Sequence, residues 1–145
     1  MISKSVEETI EIGQGLAKRL KRGDVVALVG ELGSGKTVLT KGIARGLGVK
    51  NVRYVNSPTF VIIKEYAAKI PLYHFDLYRL DKSSIIDVEN FEEYFYDDGV
   101  TVIEWADRIR RLLPKRYIEV RLSVIDENNR KIEIAARPKT VKRKP

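Results

Sequence analysis

The chain has no cysteine, one histidine and one methionine in 145 residues. Without cysteine there is no disulfide framework and no thiolate metal site. A lone histidine leaves almost no zinc chemistry. No run approaches the ~18 consecutive apolar residues that a membrane span needs, and Met1-Ile2-Ser3-Lys4 opens no signal-peptide pattern. Internal repeats and linker-like stretches are also missing. The expected location is therefore the cytoplasm, with no membrane partner. What is present is a composition 43% hydrophobic and 32% charged, that of a globular domain. At this length one domain is expected, large enough to bury a core without covalent staples. The sparse cysteine and methionine and the abundant Lys, Arg and Glu also suit a thermophile.

Acidic residues run short at one end only. The net charge is +7, and from Ala136 onward there are five cations (Arg137, Lys139, Lys142, Arg143, Lys144) and no acid. Subtracting those five leaves +2 for the body, which is unremarkable. The expected organisation is one domain over residues 1–136 and a basic, disordered tail over 137–145. Such a tail could also meet RNA or an acidic partner through screened, sequence-blind attraction.

Ser5-Val6-Glu7-Glu8 has the form of a capping box. Apolar residues behind it recur at helical spacing, predicting a helix to about Leu20. Val25-Val26-Ala27-Leu28-Val29 is a short continuous apolar run, as a strand buried on both faces requires. A loop over 30–35 and a helix from Lys36 to Leu47, ended by Gly48, follow. The extended runs 60–66 and 72–76 suit a hairpin. One or two short helices are expected over 87–96, a buried strand over 100–104, and a short helix from Ala106 to Leu113 stopped by Pro114. Two half-exposed strands, 118–124 and 131–135, close the series around the turn Asp126-Glu127-Asn128-Asn129. This order predicts an α/β fold: a single three-layer, P-loop NTPase-like domain with a mixed sheet.

Gly30-Glu31-Leu32-Gly33-Ser34-Gly35-Lys36-Thr37 matches the phosphate-binding pattern G-x-x-x-x-G-K-[ST] in full. A chance match is expected in on the order of 0.5% of chains this long, and here an apolar strand precedes it and a helix follows. Glycines let backbone amides turn inward, and those amides join the positive end of the helix in a nest for phosphate. Glu31, Leu32, Gly33, Ser34, Gly35, Lys36, Thr37 and Val38 are the residues expected around the nucleotide. Lys36 would reach the β- and γ-phosphates, and the Thr37 hydroxyl would ligate Mg²⁺.

Hydrolysis further needs an acid to organise the metal and a group to orient water. Asp76 and Glu104 each close an apolar extended run, and the sequence does not assign which does which. By alternation Asp76 shares a strand face with His74 and Tyr78. Thr59, in Ser57-Pro58-Thr59, lies where NTPases place a threonine that senses the γ-phosphate. His74 reads first as a structural hydrogen-bonder, and Trp105 and Tyr78 as core or rim aromatics. Arg79 and Arg108 are surface residues or transition-state cations.

Taken with His-Phe-Asp-Leu-Tyr-Arg-Leu at 74–80 and Ile-Glu-Trp-Ala-Asp-Arg at 103–108, the P-loop and Ser-Pro-Thr-Phe at 57–60 resemble one family over residues 5 to 135. It is the small bacterial ATPase family of tRNA threonylcarbamoyladenosine biosynthesis, TsaE. The resemblance implies ATP and Mg²⁺ as cofactors, and the TsaD and TsaB proteins as partners, with tRNA reached through that complex. It places Lys36 and Thr37 on phosphate and metal, Asp76 as a Walker B-like acid, Glu104 as a second essential acid beside Trp105, and Thr59 as a switch threonine. Asp76, Glu104 and Thr37 are then the expected metal-site residues, and Lys36, Asp76 and Glu104 the catalytic ones. Nothing transfers to the basic tail. So small a P-loop chain is expected to be a weak ATPase alone, completed in trans. Two alternatives stay open: a small-molecule or nucleotide kinase of the same fold, and a nucleotide-dependent switch. The lack of an Asn-Lys-x-Asp motif mildly favours ATP over GTP.

Overall fold

The computed structural model describes residues 1–50, 63–77 and 98–137, with the side chain of Arg108 outside that set. Along the chain these form β1 (Ile2–Ser3), α1 (Val6–Ala17), β2 (Val25–Gly30), α2 (Lys36–Leu47), β3 (Ile63–Tyr66), β4 (Leu72–Asp76) and β5 (Val100–Glu104). A 3-10 segment (Ala106–Leu112), β6 (Tyr117–Val124) and β7 (Arg130–Arg137) follow. The strands make one seven-stranded sheet in the order β1-β7-β6-β2-β5-β4-β3. Its centre, β6-β2-β5-β4, is parallel, while β3, β7 and β1 pair antiparallel at the edges. The mixed α/β architecture expected from the order of elements is the one observed.

Parallel strands bury both faces, so β2 and β5 have no polar side. Val26 and Leu28 of β2, with Val100 and Val102 of β5, pack under α1 and α2 with Leu16, Leu39 and Ile43. Val25 and Ala27 point the other way, with Phe75, Ile103, Ala106 and Ile109. The two helices on one side and the 3-10 segment on the other make the three layers.

Local chemistry sets the ends. Ser5 Oγ accepts from the Glu8 amide at 3.1 Å, as the capping box predicts. The Glu8 carboxylate reaches back to the Lys4 amide at 2.7 Å, one residue before the box position. α1 stops at Ala17 rather than Leu20, because Arg19 and Leu20 donate to Leu16 and Ala17 in tighter i→i+3 turns. The predicted 106–113 helix is a 3-10 segment kinked at Ile109 (φ −128°, ψ 33°). It enters from Trp105 without a side-chain cap and has Pro114 close beyond it, too short a stretch to sustain an i→i+4 ladder.

α1 and α2 cross at near backbone contact. A Cβ on Gly13 would stand 2.5 Å from the Leu39 carbonyl oxygen, and one on Gly42 would overlap the Ile10 carbonyl. Because the obstacle is backbone, it cannot swing aside. Gly42→Ala is expected to lower the melting temperature by more than about 5 °C through overpacking. A melt within a degree of the parent would show that the crossing is looser than this geometry.

Arg137, assigned to the tail from sequence, is the last residue of β7, opposite Tyr117 of β6. Its guanidinium holds Glu119 at 3.0 Å, and Arg110 and Arg121 approach the same carboxylate at 3.4 and 3.6 Å. Burial pushes the Glu119 carboxyl up, but the Arg137 hydrogen bond and the three cations outweigh it and hold the group below its ordinary 4.5. A depressed carboxyl stabilises the fold above its unfolded value, and that contribution disappears as pH falls through the folded one. Glu119→Gln should therefore narrow the stability gap between pH 7 and pH 3, measured by urea unfolding at both.

Candidate nucleotide site

The Gly30–Lys36 loop turns over the carboxyl end of β2, the edge where parallel α/β sheets place their ligands. Its two motif glycines are needed for different reasons. Gly35 caps α2 at φ +103°, where a side chain is strained. Gly30 is needed for space, since a Cβ there would lie 2.6 Å from both the Leu122 carbonyl oxygen and Ser34 Oγ. Ser34 and Lys36 are buried, whereas Glu31, Leu32 and Gly33 form the exposed tip and Gly35, Thr37 and Val38 are half-buried.

Lys36 Nζ is folded back into the loop. It donates to the carbonyls of Gly30 (2.7 Å) and Glu31 (2.8 Å) and to Ser34 Oγ (3.3 Å). It also sits 3.9 Å from the centroid of the Trp105 ring, a cation–π contact. Burial lowers its pKa from 10.5, against the opposing pull of Glu104, Asp76, Asp107 and Glu31. Trp105 itself takes φ +61°, rare for a bulky residue. Such strain is of order 1–3 kcal/mol and concentrates where function over-determines the backbone.

Both predicted acids end neighbouring parallel strands, and Asp76 is directly opposite Glu104 in the register. Alternation puts Asp76, His74 and Leu72 of β4 on the helix-facing side, together with Glu104, Val102 and Val100 of β5. Glu104 is the more deeply placed, at 2% exposure. Its carboxylate accepts from Thr37 Oγ1 at 3.0 and 3.2 Å, so the acid and the P-loop threonine meet directly. On its other side His74 Nε2 lies 2.5 Å from Oε2. Lys36, Thr37, Asp76 and Glu104 thus converge from three separated stretches of sequence. Thr59, with Ser57, Pro58, Tyr78 and Arg79, lies outside the described residues, as does the Arg108 side chain.

Three contacts were not read from sequence. His74 on Glu104 and Trp105 under Lys36 both had a signal, in strand alternation and in adjacency to Glu104. Arg130 had none. Its Nη1 is satisfied by the carbonyls of Asp126 (2.7 Å), Asn129 (3.0 Å) and Glu127 (3.3 Å), and Nη2 donates to the Gly33 carbonyl at 3.2 Å. The next amide, Ser34 N, donates to Glu31 O at 3.1 Å, so the Gly33–Ser34 peptide is held at both ends. Arg130→Ala is expected to weaken nucleotide binding ~3- to 10-fold, the worth of one part-exposed charged hydrogen bond. Calorimetric titration with Mg-ADP measures this, and an unchanged Kd would remove Arg130 from the site.

A mixed sheet with a glycine-rich loop between its central parallel strand and a helix, and two acids on adjoining strand ends, defines a P-loop NTPase-like α/β domain. Residues 3–132 match the family model of the threonylcarbamoyl adenosine biosynthesis protein TsaE. The chain is 44% identical over 131 residues to the Bacillus subtilis (strain 168) tRNA threonylcarbamoyladenosine biosynthesis protein TsaE, covering 90% of this chain and 80% of that one. To the protein of the same name from Treponema pallidum (strain Nichols) it is 37% identical over 134 residues, covering 92% and 98%. The crystal structure of Bacillus subtilis YdiB superposes with a TM-score of 0.77 at 36% identity, over 94% of this chain and 82% of that one. The chain belongs to the TsaE family.

Proposed function

We propose that this chain binds Mg-ATP and hydrolyses it in support of the complex that installs N6-threonylcarbamoyladenosine in tRNA, acting with the TsaD and TsaB proteins. The observation that carries the ATPase part is the direct bond between Thr37 of the P-loop and the buried carboxylate of Glu104. It brings the helix N-terminus, a cation and an acid to one point. The tRNA part is supported by family membership and by what the relatives are named for.

Among the described residues no group of three or more His, Cys, Asp and Glu side chains could cage a metal. Mg²⁺ keeps its waters and needs only one or two carboxylates beside substrate phosphates. Thr37, Asp76 and Glu104 offer oxygen donors only, the hard ligands this cation prefers. When bound, Mg²⁺ would supply positive charge that offsets the negative charge of the phosphates. Lys36 leaves the Gly30 and Glu31 carbonyls for the phosphates, exchanging neutral acceptors for charged ones. Thr37 and the two acids would hold the metal, and the acids would orient the attacking water.

The test is hydrolysis of ATP by this chain alone and with the TsaD and TsaB proteins and tRNA, beside an Mg-ADP titration followed by fluorescence of Trp105, the one tryptophan of the chain. Saturable quenching and stimulation by the partners are expected. No saturable binding by the folded chain would sink the reading.

A further inference from the structure

We infer that His74 is a positioning residue: its Nε2–H holds the Glu104 carboxylate in place so that the acid keeps its aim when Thr37 lets go of it. The inference rests on the reading of Glu104 as an acid acting on metal or water.

His74 is fully buried in the middle of β4, between β3 and β5, on the face that carries Asp76 two residues on. In register it stands opposite Val102, which puts it diagonal to Glu104 one pleat further along β5. Nε2 meets Glu104 Oε2, while Nδ1 has no hydrogen-bond partner among the described residues. These two facts fix the tautomer. A proton on Nδ1 would be a donor stranded in an apolar core, whereas a bare Nδ1 lone pair is the lesser loss. A proton on Nε2 has a carboxylate oxygen waiting for it. The ring proton therefore sits on Nε2 and is donated to Glu104.

The second step concerns what Glu104 keeps. Among the described residues its carboxylate has two side-chain donors, Thr37 Oγ1 and His74 Nε2. Thr37 is the residue that turns toward Mg-nucleotide. Once it does, His74 is the donor that still fixes the carboxylate, and it does so from beneath, inside the sheet, where neither water nor phosphate competes. A carboxylate held at Oε2 presents Oε1 to the site. A catalytic carboxylate gains its effect from being held in the productive geometry before reaction, and misplacement by about 1 Å costs ~100-fold.

The lone histidine makes this directly measurable. Selective ¹⁵N-histidine labelling gives one imidazole in the NMR spectrum. The expected result is a ring proton on Nε2, protected from exchange and shifted by Glu104→Gln. A proton on Nδ1, or an Nε2–H exchanging as fast as in free imidazole, would overturn the inference without any enzyme assay. Kinetically, His74→Leu should lower kcat ~10- to 100-fold with KM for ATP changed less than ~3-fold, and His74→Gln, which keeps a donor near Nε2, should recover most of the loss. Parent turnover by folded His74→Leu in the partner mixture would also overturn it. Should that variant not fold, His74→Gln and the NMR tautomer decide. A parent chain that hydrolyses no ATP even with partners counts against the proposed function instead, and the NMR result is read independently of it.

Discussion

Lys36→Ala is expected to weaken Mg-ATP and Mg-ADP binding on the order of 100-fold and to lower turnover with it. In the proposed reading the lysine would contact phosphate oxygens in ground and transition states alike, so its loss would not separate KM from kcat. Two charged hydrogen bonds at ~1.5 kcal/mol each account for that factor. Stability should move the other way. Burial already lowers the Lys36 pKa, which means the fold penalises the cation. Removing it should leave the melting temperature unchanged or slightly raised, a stability–function trade-off. A related dependence follows for the parent chain. Phosphate selects the protonated lysine, so nucleotide affinity should fall as pH rises toward and past the lowered pKa. Calorimetry across pH with a thermal melt of each variant checks all three. Parent-like affinity in Lys36→Ala would mean that the Gly30–Thr37 loop does not grip phosphate.

Much of this was legible from local pattern. β4 and β5 start and stop where the apolar runs do, because each run is bounded by a Pro or Gly before it and an acid after it. The P-loop was legible for the same kind of reason: its glycines, lysine and threonine are contiguous, and their job is set by backbone geometry. β1 was missed, since a two-residue strand has no period to detect and exists by pairing with residues far along the chain. The 106–113 segment reads as a helix stopped by Pro114, but it is too short to hold an i→i+4 ladder and closes as a 3-10 segment. Arg137 looked like tail because sequence cannot show that Glu119 lies buried across the hairpin. Arg130 was invisible for a deeper reason. It reaches Gly33 across 97 positions of sequence, and an arginine on a turn is ordinarily a solvated one.

The same distinction between local and assembled signals bears on the acids. Asp76 and Glu104 looked equivalent in sequence, each closing an apolar run, yet the fold treats them differently. Asp76 is half-buried at the sheet edge facing the loop, while Glu104 is buried and bonded on both sides. Glu104→Gln is therefore expected to be the more selective lesion. The amide has the carboxylate's shape, and with its oxygen accepting from His74 its NH₂ can donate to the Thr37 hydroxyl, so the pocket keeps its packing and nucleotide affinity should stay within ~3-fold of the parent. What it loses is the negative charge that, in the proposed reading, acts on metal and water, worth ~100- to 1,000-fold in turnover. Single-turnover hydrolysis in the presence of the partner proteins, set beside Mg-ADP affinity, reads the two quantities separately. Equal losses in both would make Glu104 a residue of nucleotide binding rather than of the reaction itself. Unchanged turnover would move the chemistry to Asp76, whose Asn variant is the comparison to run in the same assay.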